Sequence, residues 1–154
     1  MEKTLRKNLV SRGPQETKDF AKEIAKNLQP GAILALYGQL GSGKTTFVQG
    51  LASALGYQGR VTSPTFIFVR PYQLNYQKAS RKQKEGIQTL YHIDLYRLED
   101  TKGLKTIGIE EFLADKTGVS VIEWPDKIEN LLPENTLKIK FEVTGEDERV
   151  LTRL

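Results

Sequence analysis

Eight consecutive residues, Gly38-Gln39-Leu40-Gly41-Ser42-Gly43-Lys44-Thr45, limit what this 154-residue chain can fold into more than any other feature. They fit the phosphate-binding pattern G-x-x-x-x-G-K-[ST] at every fixed position. A phosphate chain needs several donors converging on it with no bulky side chain in the way. Glycines let backbone N–H groups approach, and the helix that follows adds the positive end of its dipole. Such a loop needs a buried strand before it and a helix after it. Residues 32–37 form an apolar run without alternation, as in a strand covered on both faces. Phe47, Val48, Leu51 and Leu55 then recur at helical spacing up to Gly56. The expectation is a P-loop in which Gly41, Ser42, Gly43, Lys44, Thr45 and Thr46 surround the phosphates. Lys44 reaches the β- and γ-phosphates, and the Thr45 hydroxyl sits on a magnesium ion that keeps several waters.

Around this centre, residues 4–10 read as a short edge strand. Phe20, Ala21, Ile24, Ala25 and Leu28 mark an amphipathic helix ended by Pro30 and Gly31. Further strands are expected at 65–69, 89–94, 119–123, 136–143 and from Arg149 onward. This alternation predicts an α/β, P-loop NTPase-like fold: a mostly parallel central sheet, helices on both faces and antiparallel strands at the edges. A hydrophobic share of 38% over this length supports the core of one domain spanning 1–154. No apolar run reaches the ~20 residues of a membrane-spanning helix, and the N-terminus lacks the apolar segment of a secretory signal, so the expected compartment is the cytoplasm, with no membrane partner. With no cysteine and one histidine, thiolate zinc sites and multi-histidine sites are excluded, leaving a hard cation held by oxygen. The net charge of +4 is compatible with phosphate-rich partners and also common among proteins that bind no nucleic acid.

A P-loop site needs an acid at the end of a neighbouring strand. Asp94 closes one expected strand and Glu123 another, which places both carboxylates where α/β sheets bind ligands. Either also fits a helix cap or a surface acid. The longer side chain of Glu123 is better suited to ordering a water for hydrolysis, which leaves Asp94 for contact with the metal or its waters. Lys44, Glu123 and Asp94 are therefore the catalytic candidates, beside a Thr45 hydroxyl on the metal. His92 fits a satisfied histidine on the sheet more readily than a proton donor. Thr65 either senses a γ-phosphate, as a switch threonine does, or only opens a strand. Asp100-Thr101-Lys102-Gly103 has the D-x-x-G form of a second switch but does not sit at a strand end. The absence of an Asn-Lys-x-Asp signature favours ATP over GTP. Residues 72–86 turn polar and basic, with Lys78, Arg81, Lys82 and Lys84: a solvated loop, or a docking element for RNA or an acidic partner.

Four segments together resemble the TsaE family, P-loop ATPases of the bacterial pathway that installs threonylcarbamoyladenosine at position 37 of tRNAs reading ANN codons. They are Gly38 to Phe47, Val61-Thr62-Ser63-Pro64-Thr65-Phe66, Tyr91-His92-Ile93-Asp94-Leu95-Tyr96-Arg97-Leu98 and Val121-Ile122-Glu123-Trp124-Pro125. The P-loop is shared with many NTPases; the other three, in this order, are specific. The resemblance implies ATP on the P-loop, Mg2+ on Thr45 and Glu123, and a contribution of Asp94 to weak hydrolysis. It also implies TsaD and TsaB as partners, direct or indirect contact with tRNA, and an adenosine approached by the stretch near Thr17 and by the C-terminal strands. Gln39 departs from the acid usual in the family, and 73–86 looks longer than usual. Two readings from other classes stand beside it: a small-metabolite kinase whose basic lid closes over ATP and an acceptor, and an RNA-binding module regulated by ATP.

Overall fold

The computed structural model describes residues 6–64, 67–74, 86–100 and 102–154. Among these residues, seven strands form one sheet: β1 (Asn8–Ser11), β2 (Ile33–Tyr37), β3 (Val69–Gln73), β4 (Thr89–Asp94), β5 (Gly118–Glu123), β6 (Leu137–Val143) and β7 (Arg149–Arg153). Their order is β1-β7-β6-β2-β5-β4-β3. The four central strands, β6, β2, β5 and β4, run parallel, and β1, β7 and β3 are antiparallel additions outside them. This is the expected α/β, P-loop NTPase-like arrangement.

The unalternating apolar strands are explained by a core on each face. Leu34 and Leu36 of β2, Leu90 of β4, Val119 and Val121 of β5 pack with Phe20, Ile24, Phe47 and Leu51 of two helices, α1 (Pro14–Ala25) and α2 (Lys44–Ala54). Ile33, Ile93 and Ile122 point the other way, toward Leu104, Ile109 and Ile128 of α3 (Lys102–Ile107), α4 (Ile109–Ala114) and a 3-10 helix (Pro125–Leu131). Phe47 joins α2 to both neighbours, lying 6.3 Å from the Phe20 ring and edge-on to Phe141 at 5.7 Å. At the carboxyl end of β2, Tyr37 donates to Glu129 at 2.6 Å, and Glu129 also takes the Lys138 ammonium. This ties the 3-10 helix beneath the start of the glycine-rich loop.

The two helices on the first face meet at Gly50. A Cβ there would lie 2.6 Å from both the Cα and the carbonyl oxygen of Lys18 in α1, an obstacle made of backbone. Gly50→Ala gains about 1 kcal/mol of helix propensity, but overpacking of a fixed contact costs about 1–3 kcal/mol. The expected outcome is a net loss, read by thermal melting as a fall of a few degrees, roughly 2–8 °C for a chain of this size.

The expected strand at 65–69 is displaced. Residues 65 and 66 lie outside the described residues, and the strand itself is β3, Val69–Gln73, with Pro71 inside it. A proline lacks a ladder donor and is tolerated only at an edge, which is where β3 lies. Of the basic stretch, Lys78, Arg81, Lys82 and Lys84 lie outside the described residues. Asp100 acts locally, as its carboxylate accepts the N–H groups of Lys102 at 3.0 Å and Gly103 at 3.3 Å and so caps α3. Among the described residues, no helix is long and apolar enough to cross a membrane.

Candidate functional site

The register of the parallel strands sets Asp94 of β4 directly opposite Glu123 of β5, and Glu123 opposite Leu36 of β2. Both carboxylates therefore stand at one end of the sheet, beside the turn that leads from β2 into α2. They are buried. Between this turn and the two strand ends lies a cavity of about 460 Å³, lined by residues 40–46 of the loop together with Ser63, Asp94, Tyr96, Arg97, Glu123 and Trp124.

The loop presents the start of α2 to this cavity. Gly43, the residue before the helix, has φ 100, a left-handed conformation that favours glycine, and among the described residues no side chain caps the first turn of α2. The first N–H groups of a helix have no partner within it, so an uncapped start facing a cavity fits an anion. Lys44 lines that space but does not extend freely into it, as its role on a phosphate chain would suggest. Its side chain is buried and its ammonium donates to the carbonyls of Gly38 at 2.6 Å and Gln39 at 2.7 Å, while lying 4.5 Å from the centre of the Trp124 ring. Burial pushes the Lys44 ammonium below the usual lysine value, with Glu123 and Asp94 acting in the opposite direction. Gln39 itself is exposed and enters through its backbone carbonyl.

The oxygen groups on the opposite wall are paired. Thr45 donates to Oε1 of Glu123 at 2.9 Å, and His92 meets the same oxygen through Nε2 at 3.0 Å. Asp94 accepts the Ser63 hydroxyl on one oxygen and the N–H of Tyr96 at 3.0 Å on the other. A threonine hydroxyl that donates to a carboxylate keeps its lone pairs for a cation. Among the described residues there is no group of three or more acidic, histidine or cysteine side chains that could hold a metal. A Thr45–Glu123 pair suits a hard cation that keeps most of its waters and takes few protein ligands.

On the far side of the loop, a smaller cavity of about 160 Å³ is bounded by Gly13, Pro14 and Thr17, by Gly41, Gly43 and Thr46, and by Glu146, Asp147 and Arg149. Arg149 reaches from the start of β7 to the Gly41 carbonyl at 3.3 Å and also holds the carbonyl of Glu146 at 3.0 Å. The pairing of β1 with β7 sets Ser11 opposite Arg149 here.

The family model described as "Threonylcarbamoyl adenosine biosynthesis protein TsaE" matches residues 11–151. The chain belongs to the TsaE family. Relatives include the tRNA threonylcarbamoyladenosine biosynthesis protein TsaE of Bacillus subtilis, 40% identical over 90% of this chain and 79% of that protein. The protein of the same name from Treponema pallidum is 38% identical over 93% of this chain and 96% of its own. A crystal structure of Bacillus subtilis YdiB superposes with a TM-score of 0.67 at 36% identity, covering 95% of this chain and 82% of that one.

All four segments that carry the TsaE resemblance contribute to the larger cavity: the loop, Ser63, the Asp94 to Arg97 turn, and Glu123 with Trp124. Thr65 lies outside the described residues. Sequence reasoning missed three contacts of this TsaE-family site. Ser63 clamps Asp94 across 31 residues of chain, His92 holds Glu123 across another 31, and Trp124 covers Lys44. The only signal for the last was the Glu-Trp-Pro segment itself. Trp124 has φ 58 and ψ 51, an uncommon conformation for a bulky residue, and Pro125 begins the 3-10 helix immediately after it.

Proposed function

We propose that this chain is the nucleotide-binding member of the machinery that forms threonylcarbamoyladenosine on A37 of tRNAs reading ANN codons. In this reading it binds ATP with Mg2+, hydrolyses it weakly, and acts with TsaD and TsaB in the cytoplasm. The observation that carries the nucleotide reading is the larger cavity, where an uncapped helix start, Lys44, Thr45 and two carboxylates face one space. The phosphates would lie along residues 41–46, with Lys44 on the outer ones. The metal would be held by Thr45 and Glu123; when bound it neutralises phosphate charge. The nucleoside end would enter the smaller cavity near Thr17 and Arg149. Membership of the TsaE family, and the names of its relatives, support the pathway.

Weak hydrolysis has a physical cause in this arrangement. Stabilising the charge spread over a transferring phosphoryl group needs donors already aimed at it. The Lys44 ammonium instead rests on two carbonyls of its own loop, so it must leave them before it can serve phosphate. Docking on a partner that closes the loop would favour that exchange.

Trp124 is the only tryptophan in the chain and lies against Lys44, so it reports on this exchange directly. Titration with Mg-ATP is expected to give a saturable change in its fluorescence at one nucleotide per chain, and turnover without any acceptor hydroxyl. A flat titration would remove the nucleotide assignment. Turnover only on addition of an acceptor would replace it with a kinase.

A further inference from the structure

One buried polar group beside the cavity belongs to neither the phosphate loop nor the metal pair. His92, the only histidine in the chain, is 0% exposed and stands on the same face of β4 as Leu90 and Asp94, with its ring 6.3 Å from that of Tyr72. Its Nε2 lies 3.0 Å from Oε1 of Glu123, the oxygen that also receives the Thr45 hydroxyl. Its Nδ1 is buried and has no hydrogen-bond partner among the described residues. These contacts select a tautomer. An ionised carboxylate can only accept a hydrogen bond, so the proton must sit on Nε2. The opposite tautomer would set an imidazole lone pair against the carboxylate and bury an N–H at Nδ1 with no acceptor among the described residues. That arrangement would lose the bond to Glu123 and also bury an unpaired donor, and orphaned buried N–H groups are rarer than under-satisfied acceptors.

We propose that His92 is a positioning residue for Glu123: with its proton on Nε2 it fixes Oε1 at the end of β5, so that the carboxylate keeps its place when a cation takes the lone pairs of the Thr45 hydroxyl. The proposal rests on the nucleotide and metal reading of this cavity. His92 acts through Glu123 and touches neither nucleotide nor metal. Both present bonds fall on Oε1, which leaves Oε2 as the oxygen that neither of them holds. A donor on a short, ringed side chain fixed in a central region of the sheet has little freedom to follow Glu123 elsewhere.

The tautomer can be read on the free, full-length, 15N-labelled protein by long-range 15N–1H correlation, where a lone histidine gives a single pattern. The expected pattern has a proton-bearing Nε2 and a bare Nδ1. In parallel, His92→Phe keeps a ring in the pocket but removes the donor, and His92→Gln restores a donor able to reach the same oxygen. His92→Phe is expected to bind ATP as the parent does in the absence of Mg2+ and to lose about 10–100-fold in Mg2+-dependent kcat, the usual range for removing a partner of a metal-holding group. KM is expected to move little, and His92→Gln to recover most of the loss. Should His92→Phe fail to fold, the tautomer and the His92→Gln protein still decide. A proton on Nδ1, a His92→Gln protein as impaired as a donor-free one, or unchanged Mg2+ dependence in folded His92→Phe overturns the proposal. A parent protein that takes up no Mg-ATP overturns the underlying reading as well, and the fluorescence titration recognises that outcome independently of the imidazole spectrum.

Discussion

Lys44→Ala is expected to lower affinity for ATP by about a hundredfold or more, since an ammonium on two phosphates makes charge-assisted hydrogen bonds worth about 1.5–3 kcal/mol each and every 1.4 kcal/mol is tenfold. The same substitution has a second effect that a freely exposed lysine would not show. It removes the donor on the carbonyls of Gly38 and Gln39 and the cation against Trp124. A modest loss of stability, about 1–3 kcal/mol for partly buried acceptors left without a partner, should therefore accompany the loss of binding. Calorimetric titration with Mg-ATP measures the first effect and thermal melting the second. A folded Lys44→Ala protein that binds ATP as the parent does would remove the P-loop assignment.

The second large effect is expected at Glu123. Glu123→Gln keeps an oxygen that can accept from Thr45 and His92 but loses the charge. Ground-state affinity for the nucleotide should stay within about tenfold, while kcat falls by about a hundredfold or more, because a group that matters chiefly in the transition state shows itself in kcat. Asp94→Asn separates the two carboxylates. Asp94 is held by Ser63 and by the Tyr96 N–H, whereas Glu123 alone is bonded to Thr45. The Mg2+ concentration needed for half-maximal turnover is therefore expected to rise more in Glu123→Gln than in Asp94→Asn. The reverse order would make Asp94 the closer metal partner, and parent-like turnover in Glu123→Gln would end its role in hydrolysis.

What could be read from the chain follows the range of the interactions involved. The strand before the loop and the helix after it are fixed by neighbouring residues, and β2 and α2 begin and end within a residue or two of the expected places. β4 occupies 89–94 as expected, since its apolar run ends abruptly at Asp94. β3 was hidden by Pro71, which reads as a strand breaker until its edge position is known. The helices α3 and α4 are six residues each and meet at Gly108, in a left-handed conformation, so neither is long enough to show a period. The candidate side chains were all legible as types, in the glycine-rich loop or at strand ends; their pairing was not. Thr45 and Glu123 are 78 residues apart, and only the register of β2 with β5 brings them together. The inward turn of Lys44 was likewise invisible, because it depends on carbonyls whose direction the loop sets.

The nucleotide site and tRNA modification are tested together by one measurement, mass-spectrometric quantification of threonylcarbamoyladenosine in tRNAs reading ANN codons. Cells depleted of this protein should lose most of the modification, a parent copy should restore it, and a Lys44→Ala copy, though folded and present at the parent level, should not. Full modification after depletion would contradict the pathway, and restoration by Lys44→Ala would contradict the need for its nucleotide site.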